Sequence, residues 1–446
     1  MSAPISAVSG RLPVVVVGAG LAGLVCASAL HEVGQPVLVL ERADEVGGRV
    51  RTRRHPEGFL LDRGFQVLLD AYPAARRWID HPALRPLPFD AGVWIWSGRR
   101  LLPLVDPVRH PESIVRDVTA PLFGLDDKAR LVKYALAARR ADWQSAAEAG
   151  SGEMAGVTAV EALRAAGFSP AFIERFARPF WGGITLDPEL RQSAGPMLFT
   201  LKMLVQGRAV LPAEGVGAMP RHLAQRLPLE SLRIGVTVDD LACEGGSVRG
   251  VRVGGETIAA AAVVVATDPP EARRLTGVTS LPDASAGLGS LTVYLTGERD
   301  PRLGRRLALD GTGQLTLDHL ADLSAVQPNY APPGRRLLAA TILGDALAGG
   351  DSALADRTRR GVATMLGHDL ADWQVLDVVR VPFSQFAQPP GIYERRPTNT
   401  TGQAGLYLAT EATVDSSYNG AILSGEAAAR AVLRDQARAN QRKRRR

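Results

Sequence analysis

The chain has 446 residues, of which 46% are hydrophobic and 22% charged. That balance belongs to a globular protein large enough for two or three cores, and it excludes a disordered chain, a collagen and a disulfide scaffold. The net charge is +6, and of the 52 basic residues only four are lysine (Lys128, Lys133, Lys202 and Lys443). Such an arginine excess fits phosphate, anionic lipid or nucleic acid as a partner, and equally the base composition of a gene rich in Ala, Gly and Pro codons. No apolar run approaches the ~18 residues of a membrane span, and no signal peptide is expected in the N-terminal stretch. Cys26 and Cys243 lie far apart without CxxC spacing, so two small buried apolar residues in a reducing compartment are expected.

In chain order, Val14–Val17 is an apolar run suited to a strand buried on both faces. The turn GAGLAG leads from it into an apolar helical stretch at residues 21–30. Gly34 and Pro36 end that helix, and Val37–Leu40 supplies a second buried strand. Residues 49–63 read as a hairpin around HPEG. Residues 104–229 have a helical texture, with a Gly/Pro-rich patch at 205–220. A β-rich stretch broken by GG turns follows and closes in the apolar run 261–266. Residues 276–400 mix strand-like pieces such as LTVYL and LLAATIL with proline-rich loops, and GLYLATEATVDSSYNGAILSGEAAARAVLRDQ predicts a strand, a loop and an amphipathic helix. There is no repeat of solenoid period.

The chemistry is concentrated near the start. Gly18, Gly20 and Gly23 form GxGxxG between a strand and a helix, with Ala19, Leu21 and Ala22 filling the turn. The first glycine permits the tight turn, the second lets backbone approach a pyrophosphate, and the third lets helix pack on strand. The helix N-terminus then offers unpaired N–H groups to the phosphates. Glu41 closes the second strand about twenty residues on, where a carboxylate accepts both hydroxyls of an adenosine ribose and repels a ribose phosphate. FAD or NAD is therefore expected here in preference to NADP.

The run LERADEVGGRVRT after GAGLAG resembles the opening of the flavin-containing amine oxidase superfamily, which includes monoamine and polyamine oxidases, protoporphyrinogen oxidases and phytoene-desaturase-like enzymes. The resemblance implies that Gly47 and Gly48 bring backbone close to FAD and that Arg42 belongs to the cofactor set. It also implies that Arg49 lies near the pyrophosphate, where a planar guanidinium bonds phosphate oxygens in pairs. At the other end, LATEATVDSSYNGAILSGEAAA is similar to the superfamily's closing signature. Glu411 is thereby implied on the ribityl chain, and the backbone near Tyr418, Asn419 and Ala421, at a helix N-terminus, facing the flavin ring. Thr410 stands where the superfamily often has glycine. Between the ends, LDRGFQVL resembles the segment beneath the cofactor, with Gly64, Phe65 and Gln66; Val236 matches a position whose main chain meets the adenine, and Ala266 and Thr267 end a strand beside the dinucleotide.

The implied fold is α/β, a Rossmann-like FAD-binding domain with a mixed sheet and a β-meander, interrupted by an α+β substrate domain. Residues 1–75, 205–275 and 400–436 are assigned to the first, 76–204 and 276–399 to the second, and 437–446 to a flexible basic tail. The FAD is expected to be held non-covalently.

Many amine-oxidising members of the superfamily hold a water near the flavin with a lysine in the second half of the chain. Here no lysine lies between Lys202 and Lys443, and an arginine, always charged, is no tunable base. Those enzymes also cage the amine between aromatic rings, one just before the closing GA; Ser417 occupies that place, with Tyr418 next to it. The expectation is therefore the phytoene-desaturase-like or protoporphyrinogen-oxidase-like branch, dehydrogenating a large apolar substrate of isoprenoid, carotenoid or porphyrinogen type by hydride transfer to the flavin.

Phe180, Trp181, Phe386 and Tyr393 are the candidate pocket residues, although core packing is the commoner role of such aromatics. No catalytic residue stands out, because no His, Asp, Ser or Cys constellation is visible. The seven histidines (31, 55, 81, 110, 222, 319 and 368) lack metal-ligand spacing, so no metal and only surface or loop roles are expected for them.

The alternatives are an amine oxidase of the same superfamily, a flavin-binding protein without turnover, and a plain NAD enzyme, which would leave the closing signature without a purpose. The electron acceptor, whether oxygen, a quinone or another protein, leaves no trace. Scattered arginines without a helix-turn-helix, RNP or zinc pattern argue against nucleic acid. A cytoplasmic protein is expected, with at most a weak peripheral contact of QRKRRR with anionic lipid.

Overall fold

A computed structural model describes residues 11–105, 122–367 and 372–444, which leaves His110 and His368 outside the described residues. Its base is a parallel sheet of five strands in the order Leu232–Arg233, Val37–Leu40, Val14–Val17, Ala262–Val265, Leu406–Leu408. Strands from three distant stretches of chain thus lie side by side, and the central ones are buried along their whole length, as continuous apolar runs require. On one face Val15 and Val17 pack against Val248 and Val251 of the antiparallel meander Asp240–Glu244, Ser247–Val253, Glu256–Ala259. On the other, Val14 and Val16 pack against Leu24 and Val432 of the helices Leu21–Glu32 and Tyr418–Arg444.

The two ends of the chain meet between those helices. A Cβ on Gly425 would lie 2.3 Å from the Ala22 carbonyl oxygen, so the closing helix rests on the opening one at backbone contact. The closing helix continues to Arg444, so residues 437–444, expected to be a frayed tail, form its last turns. Cys26 is buried in the opening helix, and burial pushes its thiol up to about 12. Cys243, also expected to be buried, is exposed, because a bulge between Ala242 and Cys243 breaks the inward–outward alternation of its strand.

Beside this base stands a mixed sheet of seven strands, ordered Gln374–Phe386, Gly287–Gly297, Arg336–Ile342, His319–Asp322, Leu307–Asp310, Gly92–Trp96, Leu101–Val105. Leu291, Val293 and Ala340 on one face pack against Val362 of the helix Asp351–Leu366. Alternation puts Ser290 and Thr292, and their neighbours in register Thr341 and His319, on the opposite face. The helices Leu125–Arg140, Arg178–Thr185 and Ala194–Gln206 enclose the space beyond it.

The hairpin Thr52–Arg54 with Leu60–Asp62 forms as its turn predicts, and it ends in a buried carboxylate at Asp62. Asp62 accepts hydrogen bonds from the Thr52 hydroxyl at 2.5 Å, the Val216 N–H at 3.1 Å and the Tyr330 hydroxyl at 2.7 Å. Burial pushes its carboxyl up to about 6 despite these donors. Among the described residues no helix is long and apolar enough to cross a membrane.

Candidate flavin and substrate site

One continuous cavity of about 1150 Å³ runs from the C-terminal end of the Val14–Val17 strand to the helical layer. Its floor is mostly backbone. Gly18 has a φ of +107°, and a Cβ there would lie 2.8 Å from the Ala266 carbonyl oxygen; a Cβ on Gly23 would lie 2.1 Å from the Gly18 carbonyl oxygen. The protein's own packing therefore demands both glycines. Gly20 differs: a Cβ there would meet nothing within 4 Å, and one on Gly48 would meet only the Gly20 Cα at 3.7 Å. This open strip at a helix N-terminus is a cradle of the kind a pyrophosphate fills.

Arg42, Arg49, Arg51 and Arg63 line the cavity around that strip. Burial and the proximity of Arg51, Arg49 and Arg42 hold the Arg63 guanidinium below its ordinary value, while Arg49 pairs with Glu411 and Arg51 lies 3.8 Å from both Glu41 and Glu45. Arg51 and Arg63 are not among the sequence candidates. A signal was there for Arg63, which directly precedes Gly64.

Glu41 is buried, its Oε2 accepting the Ala19 N–H at 2.8 Å and its Oε1 the Ala43 N–H at 2.9 Å. Each oxygen keeps a lone pair for a ribose hydroxyl. Leu21, Ala22, Gly47, Gly64, Gln66, Val236, Ala266, Thr267 and Ala421 also lie on the cavity wall. Ala19, Gly23 and Asn419 do not: the first two shape the turn, and the Asn419 side chain accepts the Ala74 N–H at 2.9 Å and donates to the Gln144 carbonyl at 2.8 Å. Asn419 thus latches the closing helix in place, and only its backbone can face a ligand.

At the far end of the floor, Glu411 is buried in an ion pair with Arg49, so residues from opposite ends of the chain meet. Ser417 caps the closing helix by accepting the Gly420 N–H at 2.9 Å. The N–H groups of Tyr418 and Asn419 belong to the first turn, where no intrahelical acceptor exists. The Tyr418 hydroxyl donates to Gln66 Oε1 at 2.5 Å, and the Phe65 N–H donates to Thr292 Oγ1 at 3.1 Å. An open phosphate cradle, clustered guanidiniums, an acid at the ribose position and a second helix start further along together fit FAD.

Beyond the floor the cavity becomes an aromatic arm walled by Phe65, Phe89, Phe176, Phe180, Trp181 and Phe199. Phe168 stacks on Phe172 at 4.3 Å and Phe176 on Phe180 at 5.2 Å between ring centroids. A π-helical turn at Ile173–Ala177, a feature that recurs at functional sites, carries Phe176 to the wall. The spacing of Phe168, Phe172, Phe176 and Phe180 by four marks one helical ridge, a signal that finds Phe176 from sequence.

Two of the candidate pocket aromatics do not reach the arm. Phe386 packs among Val263, Leu406 and Leu408 under the parallel sheet. Tyr393 is buried against Gly150 and donates its hydroxyl to Gln388 Oε1 at 3.2 Å. Both are core residues: neither lines the cavity, although Gln385 and Gln388 beside them do. His319, expected on the surface or a loop, is instead a buried strand residue on the cavity wall. Its Nδ1 lies 2.8 Å from Asp318 Oδ2 and its ring 4.9 Å from that of Phe65. Burial raises the Asp318 carboxyl, and the hydrogen bond to His319 opposes that rise.

A model of the family described as flavin containing amine oxidoreductase matches residues 21–433. Among curated proteins the chain is 48% identical over 56 residues to the flavin-containing amine oxidase B of Canis lupus familiaris, covering 13% of this chain and 11% of that protein. It is 24% identical over 470 residues to the 15-cis-phytoene desaturase of Narcissus pseudonarcissus, covering 95% of this chain and 80% of the relative. Matches to the first curated relatives span only about a tenth of their length. Among solved structures, a double mutant of putrescine oxidase superposes with a TM-score of 0.72 at 16% identity, covering 95% of this chain and 99% of that one, which is a likeness of fold. The chain belongs to the flavin-containing amine oxidoreductase family.

Proposed function

We propose that the chain is an FAD-dependent oxidoreductase that dehydrogenates a large apolar molecule of isoprenoid, carotenoid or porphyrinogen type, with the FAD held non-covalently on the cavity floor. The aromatic arm carries this reading, since Phe89, Phe176, Phe180, Trp181 and Phe199 give the cavity beyond the floor an apolar wall. Bound FAD supplies the hydride acceptor. The chain's own part is to hold the substrate dry and aligned, because packed rings exclude water and limit its motion.

The lysine-free stretch from 203 to 442 supports the same branch. Lys202, which borders it, is buried and donates its Nζ to the Trp143 carbonyl at 2.6 Å, a structural commitment. The name of the narcissus relative, a phytoene desaturase, agrees with this substrate class, whereas that of putrescine oxidase stands for the amine alternative. The deciding experiment is anaerobic titration of the holoenzyme with phytoene, coproporphyrinogen and putrescine while flavin bleaching is followed. Bleaching by one of the two apolar compounds is expected; bleaching by putrescine alone overturns the proposal.

A further inference from the structure

We propose that Arg139 and Arg208, where the aromatic arm opens to solvent, receive an anionic head group of the substrate, a carboxylate or a phosphate ester. The substrate is then an apolar body carrying at least one such group, and neither a plain hydrocarbon nor an amine. The inference rests on the apolar-substrate reading above and narrows it.

Both side chains line the cavity and both are exposed, so the cavity is open where they stand. Two hydrogen bonds place them at the same end of it. The Gln206 side chain, two residues before Arg208, donates to the Arg139 carbonyl at 3.2 Å. The Phe89 N–H donates to the carbonyl of Ala209, the residue after Arg208, at 2.9 Å, which sets Arg208 beside a ring of the arm. Arg139 shares one face of the helix Leu125–Arg140 with Leu131, Val132, Ala135 and Leu136, which line the cavity as well. An arginine lays its apolar stem along such a wall and keeps its guanidinium at the water, the division that an amphiphilic ligand needs.

The guanidiniums have capacity to spare. No ion pair engages Arg139 among the described residues, and Arg208 has only a loose one, its Nε lying 3.7 Å from Asp70 Oδ2. A planar guanidinium offers carboxylate or phosphate oxygens paired donors, and two of them favour an anion at the opening. The acids on the cavity wall are, by contrast, committed. Glu41 and Glu411 belong to the floor, and Asp268 and Glu271 stand beside Thr267 at the dinucleotide end. Asp90 pairs with Arg305 at 2.7 Å, and Asp415 accepts the Ala146 N–H at 2.9 Å and the Ser417 hydroxyl. A cationic substrate entering the arm therefore meets two guanidiniums and no carboxylate without a partner.

The test measures binding of farnesoate, farnesyl phosphate and farnesol, one isoprenoid skeleton with three head groups, to the holoenzyme by calorimetry. Wild type is expected to bind at least one of the two anions about tenfold more tightly than farnesol, and the tighter anion identifies the head group. The preference should shrink in about 0.5 M salt, as an exposed charge interaction does. The double variant Arg139→Gln with Arg208→Gln is expected to bring all three affinities within about twofold, with farnesol binding and FAD content unchanged. Arg139→Glu, a single exposed change that serves if the double variant does not fold, should lower the preference at least about threefold. Equal binding of the three probes by wild type, or a preference retained in the variants, overturns the anion site and leaves the apolar-substrate reading standing. So does sedimentation of wild type with phosphatidylglycerol vesicles that the double variant loses while the probes bind equally, since the arginines would then serve a lipid surface. Binding of none of the probes by a protein that binds putrescine overturns both readings.

Discussion

The floor of the cavity and its aromatic arm are built by different means. The floor is backbone held in place by short motifs: Gly18 and Gly23 pack against carbonyl oxygens, Glu41 is held by two backbone N–H groups, and two helix N-termini face the same space. The arm is made of side chains from a helical layer and a mixed sheet that share no motif. A backbone site needs particular residues only where a side chain would intrude or where one charge must stand, so its specification is compact. A side-chain site spreads over the chain and can be altered residue by residue without disturbing the floor.

That contrast can be broken by experiment. Gly23→Val should have the largest effect, because any Cβ at that position falls on the Gly18 carbonyl oxygen; we expect loss of FAD and of much of the soluble protein, read as flavin absorbance per chain. Arg49→Ala leaves Glu411 buried without its cation, and should weaken FAD binding by about 100-fold in a fluorescence titration. Unchanged affinity would show that the floor does not depend on the pairing of the chain ends. Phe180→Ala should act on the arm alone, slowing anaerobic flavin reduction by an apolar substrate about tenfold with FAD content unchanged. Loss of FAD in that variant would show that floor and arm are not separable.

Asp62 sharpens the comparison, because its hydrogen bonds tie the hairpin beside the floor to Tyr330 near the second sheet. Its folded carboxyl sits at about 6 against an ordinary 3.8, so the native state holds that proton more tightly than the unfolded chain. The resulting stabilisation is fully present below about pH 4 and is lost as pH rises through about 6, on the order of 3 kcal/mol in all. Asp62→Asn should flatten this part of the stability curve in urea melts at a series of pH values. Wild-type and variant curves that run parallel would refute the burial effect.

The same contrast explains what could be read from sequence. The valine runs, GxGxxG, Glu41 and the closing helix are local patterns, and they assemble as one parallel sheet with two helix starts facing one cavity. Arg63 was less legible, since its role follows from the company of three other arginines that only folding brings together. His319 carried no local signal, because burial and the pairing with Thr341 are properties of the sheet and not of LDHLADL. Phe386 and Tyr393 were misplaced for the complementary reason: an aromatic residue reads the same whether it faces a cavity or a core. Cys243 was misjudged because a bulge cannot be seen in a run of alternating residues.

The account depends above all on the two ends of the chain forming one flavin floor. The most direct test is the amount of FAD released when the purified protein is denatured, measured per chain. The predicted result is close to one FAD per chain, released intact and therefore held without a covalent bond. A colourless protein that takes up no FAD on reconstitution would contradict it.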